Sequence, residues 1–222
     1  MIKIKGFFVQ RRKTMTQYVK NINLTMENWE PIQTFVKSVS IEGSEALRVV
    51  KDTAVIDVDE PTYAKINGIE FKNGVIEVKV LSRLLSNAPD FARGFIGVAF
   101  RIDDKNDQFE GIYIRPTNGR SKEQSRRNSS TQYFSYPHYK FDRFREESPK
   151  KYESYADMGL DEWIDMKIEV LEEHAKLYLN NTTHPVLVVN DLKHGPDTKG
   201  AIGLWVDIGT EGFFKDLKIT SY

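Results

Sequence analysis

The chain has 222 residues, no cysteine, and 32 basic residues that balance 32 acidic ones. The lack of cysteine excludes disulfide bonds, thiolate metal sites and a cysteine nucleophile. The balanced charge argues against nucleic acid or an anionic membrane as a partner. A chain of this length can form one large β domain whose core needs no covalent cross-link.

Residues 1–16 are expected to form an N-terminal extension. The apolar run at residues 7–9 is too short for an export signal, and the basic cluster at residues 11–13 follows it instead of preceding it. Met15 is a second candidate for the start of the protein. No stretch approaches the roughly 20 apolar residues of a membrane-spanning helix. We therefore expect a cytoplasmic location and a single domain at residues 17–222.

Alternation of apolar and polar residues with a period of two dominates the rest of the chain. Ile76, Val78 and Val80 share one face of a predicted strand, which follows the hairpin-type turn Asn73-Gly74. Residues 94–102 and 108–115 form a second predicted hairpin. The series continues at residues 163–171, 175–179, 185–189, 201–206 and 213–219. Such spacing, without long helical patterns, predicts an all-β protein, an antiparallel β-sandwich.

The segment from residue 116 to residue 161 departs from this rhythm. Loops of more than forty residues are unusual within a compact domain, and they tend to be functional or disordered. This one contains Tyr133, Phe134, Tyr136, Tyr139, Phe141, Phe144, Tyr152 and Tyr155, too many aromatic residues for a disordered linker. We expect it to pack over one sheet, with residues 132–136 as a strand.

The C-terminal half carries a resemblance. Residues 163–170, 175–181, 200–206 and 213–219 are similar, in this order, to the strands of concanavalin A-like (jelly-roll) sandwiches, including laminin-G-like and glucanase-like domains. They also resemble the 3-keto-disaccharide hydrolase-like domain, DUF1080. The match covers roughly residues 70–222 and implies a sandwich with a sugar-related role. In the hydrolase group an acidic residue follows a hydrophobic-Arg strand end, and Glu110 and Arg101 occupy similar places here. The group's usual Asn-Ser-Gly is replaced by Arg93-Gly94-Phe95.

Basic and aromatic residues around the long segment form the candidate binding site. Guanidinium groups bind planar or vicinal oxygen atoms with two-point geometry, and tyrosine rings can stack on the apolar side of a sugar. An alternative is that these arginines only hold the long segment on the sandwich. The candidate ligand-binding residues are Arg101, Tyr113, Arg115, Asn118, Arg120, Arg126, Arg127, Tyr133, Tyr136 and His138.

Glu110 is the candidate catalytic acid/base. Because side chains alternate along a strand, residues 110, 112 and 114 share one face and residues 113 and 115 the other. If the face of Glu110 is the core side, its carboxylate is unusual; if it is not, Tyr113 and Arg115 point at the ligand. Structural ion pairing, for example with Arg101, is the alternative for Glu110. The sequence leaves both open.

Other kinds of site are weakly supported. The paired-carboxylate pattern of glucanase-like sandwiches is absent, and Ser129-Ser130 with His138 lacks a nucleophile elbow. The four histidines have no zinc-ligand spacing, so no metal site is expected. Residues 103–107 could hold Ca²⁺ through carboxylate and amide oxygens, but a polar hairpin turn explains them as well. No cofactor is expected.

Three functional hypotheses remain. The leading one is a lectin-like sandwich that binds a carbohydrate or a small sugar-derived ligand, with residues 116–155 as one wall of its site. The second is a hydrolase that acts on the glycosidic bond of a sugar or keto-sugar, with Glu110 as acid/base. The third is a non-catalytic protein-interaction module. Exposed edge strands allow a monomer or a homodimer.

Overall fold

The structure is a computed structural model that describes residues 17–222, so the expected extension at residues 1–16, with Met15, lies outside the described residues. The strands, in chain order, are β1 (Tyr18–Asn21), β2 (Trp29–Ile32), β3 (Thr34–Ile41), β4 (Ser44–Lys51), β5 (Tyr63–Ile66), β6 (Gly74–Leu84), β7 (Ile96–Ile102), β8 (Phe109–Ile114), β9 (Thr131–Tyr136), β10 (Glu153–Ser154), β11 (Ile164–Leu171), β12 (His174–Leu179), β13 (Leu187–Val189), β14 (Ala201–Val206) and β15 (Thr210–Ser221). Short helices α1 (Pro116–Gly119), α2 (Gln124–Arg127) and α3 (Phe141–Glu147) and a 3-10 turn at Met26–Asn28 interrupt them.

The strands form two antiparallel sheets, which confirms the predicted β-sandwich. The eight-stranded sheet has the order β13-β12-β11-β6-β15-β4-β3, with β1 added beside β15. The seven-stranded sheet has the order β10-β9-β8-β7-β14-β5-β2. Strands from the two ends of the chain are therefore neighbours in both sheets.

The main core lies between the two sheets. Ile76, Val78 and Val80 of β6 are buried there, as the alternation predicted, and Val98 and Ile112 of the other sheet belong to the same cluster. Each such side chain contributes roughly 1.5–3 kcal/mol by leaving water. The sandwich needs no cross-link because this core runs along both sheets.

The predicted hairpin around residues 103–107 is present as β7 and β8. Asp103 Oδ1 accepts the backbone N–H groups of Asp107 at 2.9 Å and Gln108 at 3.1 Å. The carboxylate thereby closes the turn, which accounts for its polar sequence.

The segment from residue 116 to residue 161 is more ordered than a single loop. It contains α1, α2, β9, α3 and β10, and β9 covers the strand predicted at residues 132–136. Tyr133, Phe144 and Tyr152 are buried in the main core, with the rings of Phe144 and Tyr152 4.0 Å apart between centroids. These aromatic contacts provide the apolar burial that offsets the entropy cost of ordering the segment.

A second cluster covers the outer face of the seven-stranded sheet, the face turned away from the main core. Tyr63, Phe109, Tyr113, Phe134 and Trp205 form this cluster, and each is at most 1% exposed. Gly97 lies between Trp205 and Tyr113 in the strand register. A Cβ atom at position 97 would lie only 2.5 Å from Tyr113 Cα. Glycine at this position therefore allows β8 to approach β7 closely at Tyr113.

The residues before β5 and those around α3 fold together over this outer face. The N–H of Phe141 donates to Asp59 Oδ2 at 2.8 Å, and Lys140 pairs with Glu60. Trp205 Nε1 donates to the carbonyl of Glu60 at 2.9 Å. This cover leaves one end of the outer face open, and the candidate site lies there.

Candidate functional site

A cavity of about 710 Å³ opens at the uncovered end of the outer face. Its size falls in the range of roughly 300–1,000 Å³ that is usual for small-molecule sites. The lining comes from the seven-stranded sheet, from residues 58–59, from residues 91–95 and from the long segment. The lining residues are Val58, Asp59, Phe91, Arg93, Phe95, Tyr113, Arg115, Asn118, Ser125, Arg126, Asn128, Ser129, Phe141, Arg145, Lys150, Glu153 and Asp207.

Arg115 is the best-anchored polar side chain in the cavity. It follows β8 and is 3% exposed. Its Nη2 donates to the hydroxyl of Tyr113 at 2.8 Å and to Gln132 Oε1 at 3.0 Å, and its Nη1 contacts Glu153 Oε1 at 3.2 Å. These contacts fix the plane of the guanidinium, because its N–H groups have a rigid geometry.

Asp59 is a buried carboxyl group on the cavity wall. Burial, and then the charge of Asp207, raise the pKa of Asp59 to about 7. Asp207 itself pairs with the ammonium of Lys51 at 2.5 Å and accepts the N–H of Asp59 at 2.9 Å. Near neutral pH, therefore, Asp59 can hold a proton and release it, while Asp207 has a cation as its partner.

Three phenylalanine rings supply apolar surface to the cavity. Phe91 is 52% exposed, and Phe95 and Phe141 are half-buried. Phe95 packs edge-on against Tyr113, with ring centroids 6.0 Å apart. The guanidinium of Arg145 lies 5.0 Å from the centroid of the Phe141 ring. The cavity thus combines flat apolar surfaces with oriented N–H donors.

Asn118 and Arg126 form the wall contributed by the long segment. Asn118 is 4% exposed, and its Nδ2 donates to the carbonyl of Ser129 at 3.3 Å. Arg126 Nε donates to Asn118 Oδ1 at 3.2 Å. Of the ten candidate ligand-binding residues named from the sequence, Tyr113, Arg115, Asn118 and Arg126 line the cavity.

Glu110, the candidate acid/base, lies on the opposite face of β8. It is fully buried, accepts the hydroxyl of Tyr133 at 2.8 Å and accepts the N–H of His194 at 2.9 Å. The sequence left open which face of this strand is turned to the core. The face of Glu110 is the core side, so Tyr113 and Arg115, which point the other way, lie on the cavity side. The expected role of Glu110 in catalysis has no geometric support, since Glu110 does not line the cavity.

Arg101 is also held inside the protein, by carbonyl oxygens. Its guanidinium is fully buried and donates to the carbonyls of Lys72 at 3.0 Å, Gly195 at 2.9 Å and Glu172 at 2.6 Å. Burial lowers the pKa of Arg101, and the nearby charge of Glu110 acts in the opposite direction. These bonds to carbonyl oxygens give Arg101 a structural role, although among residues 17–222 Arg101 and Glu110 do not form the direct ion pair that was the alternative for Glu110.

The remaining candidates lie outside the cavity, and all of them except His138 have a structural partner. Arg120 pairs with Asp157 and Glu162, both at 2.9 Å. The guanidinium of Arg127 lies 4.8 Å from the centroid of the Tyr155 ring. Tyr133 is in the main core, Tyr136 stacks on Phe109 and His138 is exposed. The sequence showed that this region is rich in Arg and Tyr, but it did not show which of these side chains line the cavity.

Several cavity residues have no motif that would have revealed them. Asp59 and Asp207 follow unremarkable loop sequences, and only the fold brings them together. Arg93 and Phe95 are the exception, because positions 93–95 are where the resemblance to the hydrolase group breaks down. A departure from a family pattern beside a strand was therefore a usable signal.

Comparison with known proteins identifies the family. A family model described as a 3-keto-alpha-glucoside-1,2-lyase-like domain matches residues 21–220. The chain belongs to this family. The resemblance inferred from the C-terminal strands is thereby confirmed, and the match extends further toward the N-terminus than the sequence motifs did. A search of the curated proteins found no match.

Solved structures share the sandwich of this lyase-like chain at low sequence identity. Carbohydrate binding module CBM66 from Bacillus subtilis has a TM-score of 0.52 and 12% identity, over 86% of this chain and 94% of the module. A candidate glycosyl hydrolase from Parabacteroides distasonis has a TM-score of 0.51 and 13% identity, over 91% and 100%. A Bacillus subtilis protein of unknown function with a galectin-like fold has a TM-score of 0.49 and 12% identity, over 87% and 89%.

Across residues 17–222, no three His, Cys, Asp or Glu side chains are grouped so that they could share a metal ion. None of the helices in that same range has the length and apolar character needed to cross a bilayer.

Proposed function

We propose that the protein binds a carbohydrate in the cavity. The observation that carries the proposal is the combination, in one cavity, of the rings of Phe91, Phe95 and Phe141 with the polar side chains of Arg115 and Asn118. Sugar rings present apolar C–H faces, which stack on aromatic rings, and equatorial hydroxyls, which accept and donate hydrogen bonds.

The comparisons support this proposal. The family description refers to a glucoside, and the module CBM66, which has a similar sandwich, is named for carbohydrate binding. In this chain the cavity lies at one end of the outer face of the seven-stranded sheet, where the cover formed by α3 and residues 55–61 stops.

A glycan array tests the proposal directly. The unmodified protein is expected to retain at least one class of oligosaccharide, and Phe91→Ala is expected to weaken that binding about tenfold, because one stacking surface is removed. Phe35→Ala is the matched control, since Phe35 is 57% exposed and does not line the cavity. An unmodified protein that retains no glycan, or equal losses in both variants, would refute the proposal.

A second candidate function is cleavage of a glycosidic bond with Asp59 as general acid. A carboxyl group whose pKa is raised to about 7 inside a ligand-sized cavity is suited to proton transfer at neutral pH. In this reaction the proton of Asp59 passes to the glycosidic oxygen as the C1–O bond breaks, which leaves Asp59 as a carboxylate. A water molecule adds to C1, and the proton that this water loses restores the acid form of Asp59. Asp59 thus takes the place that the sequence gave to Glu110.

Turnover of a 3-keto-α-glucoside tests this second function. We expect kcat/KM to fall as the pH rises above about 7, because the acid must carry its proton. Asp59→Asn should lower kcat/KM by about 100-fold or more, whereas Asp57→Asn, at an exposed neighbouring position, should not. Unchanged turnover in Asp59→Asn would remove the assignment.

A further inference from the structure

Two arginines in the cavity have no acidic partner. Among residues 17–222, neither Arg93 nor Arg126 has a carboxylate oxygen within ion-pair distance. Arg93 Nη1 donates to the carbonyls of Asp90 at 2.6 Å and Ala92 at 2.8 Å. Arg126 donates only to the neutral side chains of Asn118 and Thr117, at 3.2 and 3.3 Å. Both side chains are half-buried, so their charges are partly removed from water.

The carboxylates of the cavity do not offset these charges. Glu153 is shared by Arg115 and Arg145, at 3.2 and 2.6 Å. Asp207 is bound by Lys51, and the pKa of Asp59 is raised to about 7, so Asp59 carries only part of a charge at neutral pH. The cavity is therefore cationic, although the chain as a whole is neutral.

The two arginines also act on each other. Burial lowers the pKa of Arg93, and the positive charges of Arg126 and then Arg115 lower it further, while the more weakly acting carboxylates of Glu123 and Asp90 raise it. Like charges that share one cavity are unfavourable unless an anion is bound there. The N–H groups of Arg93 Nε and Nη2 and of Arg126 Nη1 make no hydrogen bond to any residue in the described range, so they remain able to donate to a ligand.

We propose that the saccharide bound in the cavity carries an anionic group, which Arg93 and Arg126 bind together. This inference rests on the proposed carbohydrate-binding function and deepens it by naming an acidic saccharide as the ligand class. A uronate carboxylate and a phosphate or sulfate ester share the required chemistry, which is two or more equivalent oxygen atoms facing the guanidinium N–H groups. A neutral glycoside would leave the two charges unmatched.

The test uses an array of oligosaccharides with matched backbones in neutral, uronate-containing and sulfated or phosphorylated forms. We expect the protein to bind one acidic form at least about tenfold more tightly than its neutral counterpart. That preference should fall as the NaCl concentration rises from 50 to 500 mM, because the Debye screening length shortens over this range from roughly 14 to 4 Å. The acidic form that binds distinguishes a carboxylate from an ester.

Matched variants locate the contact. Arg93→Gln and Arg126→Gln should each remove most of the preference for the acidic form, because the affinity for that form should fall much further than the affinity for the neutral form. Lys122→Gln removes an exposed charge from the same segment outside the cavity and should change neither. Urea unfolding of each variant checks that it is folded. The salt dependence is measured on the unmodified protein, so it tests the inference even if a variant does not fold.

The outcomes separate this inference from the function on which it rests. Equal affinity for the neutral and acidic forms would overturn the inference that the ligand is anionic, but it would leave the proposed carbohydrate binding intact. Tight binding of an acidic form that persists in both arginine variants would also overturn it. If no form of any saccharide binds, the proposed function fails and the inference fails with it.

Discussion

Glu110 shows how the environment of a single carboxylate decides its role. Both of its oxygen atoms accept hydrogen bonds from buried donors, the hydroxyl of Tyr133 and the N–H of His194. Glu110→Gln removes the charge that compensates buried Arg101 and presents an N–H₂ group to one of these donors. We expect the free energy of unfolding to fall by about 2–4 kcal/mol, with no change in saccharide binding.

Urea denaturation of the Glu110→Gln variant and a binding isotherm measure the two effects. Glu70→Gln is the control, since Glu70 forms an exposed pair with Lys199 and its loss should cost less than about 1 kcal/mol. A stable Glu110→Gln variant that no longer binds or turns over a sugar would contradict the structural role.

Asp59 makes the stability of the protein depend on pH. Its pKa is about 7 in the folded protein and 3.8 ordinarily, so the folded state binds more protons than the unfolded state between those values. The free energy of unfolding therefore falls as the pH rises through this window. From pH 5 to pH 8 the loss due to Asp59 is about 2–3 kcal/mol.

Asp59→Asn tests this dependence, because asparagine resembles the protonated carboxyl group and does not ionise. Urea unfolding at pH 5 and pH 8 should show that the variant gains about 2–3 kcal/mol relative to the unmodified protein as the pH rises. Asp57→Asn should follow the unmodified protein at both pH values. A difference between Asp59→Asn and the unmodified protein that is the same at pH 5 and pH 8 would show that Asp59 is ionised throughout.

At the scale of elements, β7 and β8 set the shape of the cavity floor. Gly97 of β7 faces Tyr113 of β8, and a Cβ atom there would meet Ile112 O at 2.2 Å and Tyr113 Cα at 2.5 Å. Gly97→Ala should therefore push the two strands apart, lower the free energy of unfolding by about 3 kcal/mol and weaken saccharide binding as Tyr113 shifts.

Gly43→Ala provides the comparison for Gly97→Ala. Gly43 has φ +74° and nothing within 4 Å of an added Cβ, so this variant should lose only about 1 kcal/mol from backbone strain and bind normally. Thermal or urea unfolding of both variants, with binding isotherms, separates the two causes. Equal losses would mean that the close approach of the strands is unimportant.

Arg120 connects the end of α1 to residues 157–162 rather than to a ligand. Its guanidinium contacts the carboxylates of Asp157 and Glu162, which hold its pKa above the usual range. Arg120→Ala should leave the affinity for saccharides unchanged while making residues 157–162 easier for a protease to cleave. A loss of saccharide binding without increased proteolysis would indicate that Arg120 contacts the ligand, as the sequence analysis expected.

The strands could be predicted from the sequence because alternation is local information. Ile76, Val78 and Val80, or Ile112 and Tyr113, reveal their faces within a few residues. The cavity could be predicted only in part, because its members are distant in the chain. Tyr113 and Arg115 were found from one strand and Asn118 and Arg126 from the long segment, but Asp59, Arg93 and Asp207 meet them only through the pairing of strands. No periodicity encodes that convergence.

At the scale of the whole molecule, the cavity exists only when both layers are folded. Its lining comes from β8, the residues before β5, the residues before β7, the long segment and the residue after β14, and these are held together by the two sheets. A ligand that binds this cavity stabilises the folded state and not the unfolded chain. The resulting gain in unfolding free energy is about 2.7 kcal/mol at a ligand concentration 100 times the Kd.

We therefore expect a saturating saccharide to raise the Tm while unfolding remains a single transition. Differential scanning calorimetry with increasing ligand measures this, with Phe91→Ala requiring about ten times more ligand for the same rise and Phe35→Ala behaving as the unmodified protein. Unfolding that splits into two transitions, with only one sensitive to ligand, would show that the long segment and the sandwich fold independently. In that case the site would depend on the segment alone and not on the sheets that position Tyr113 and Arg115.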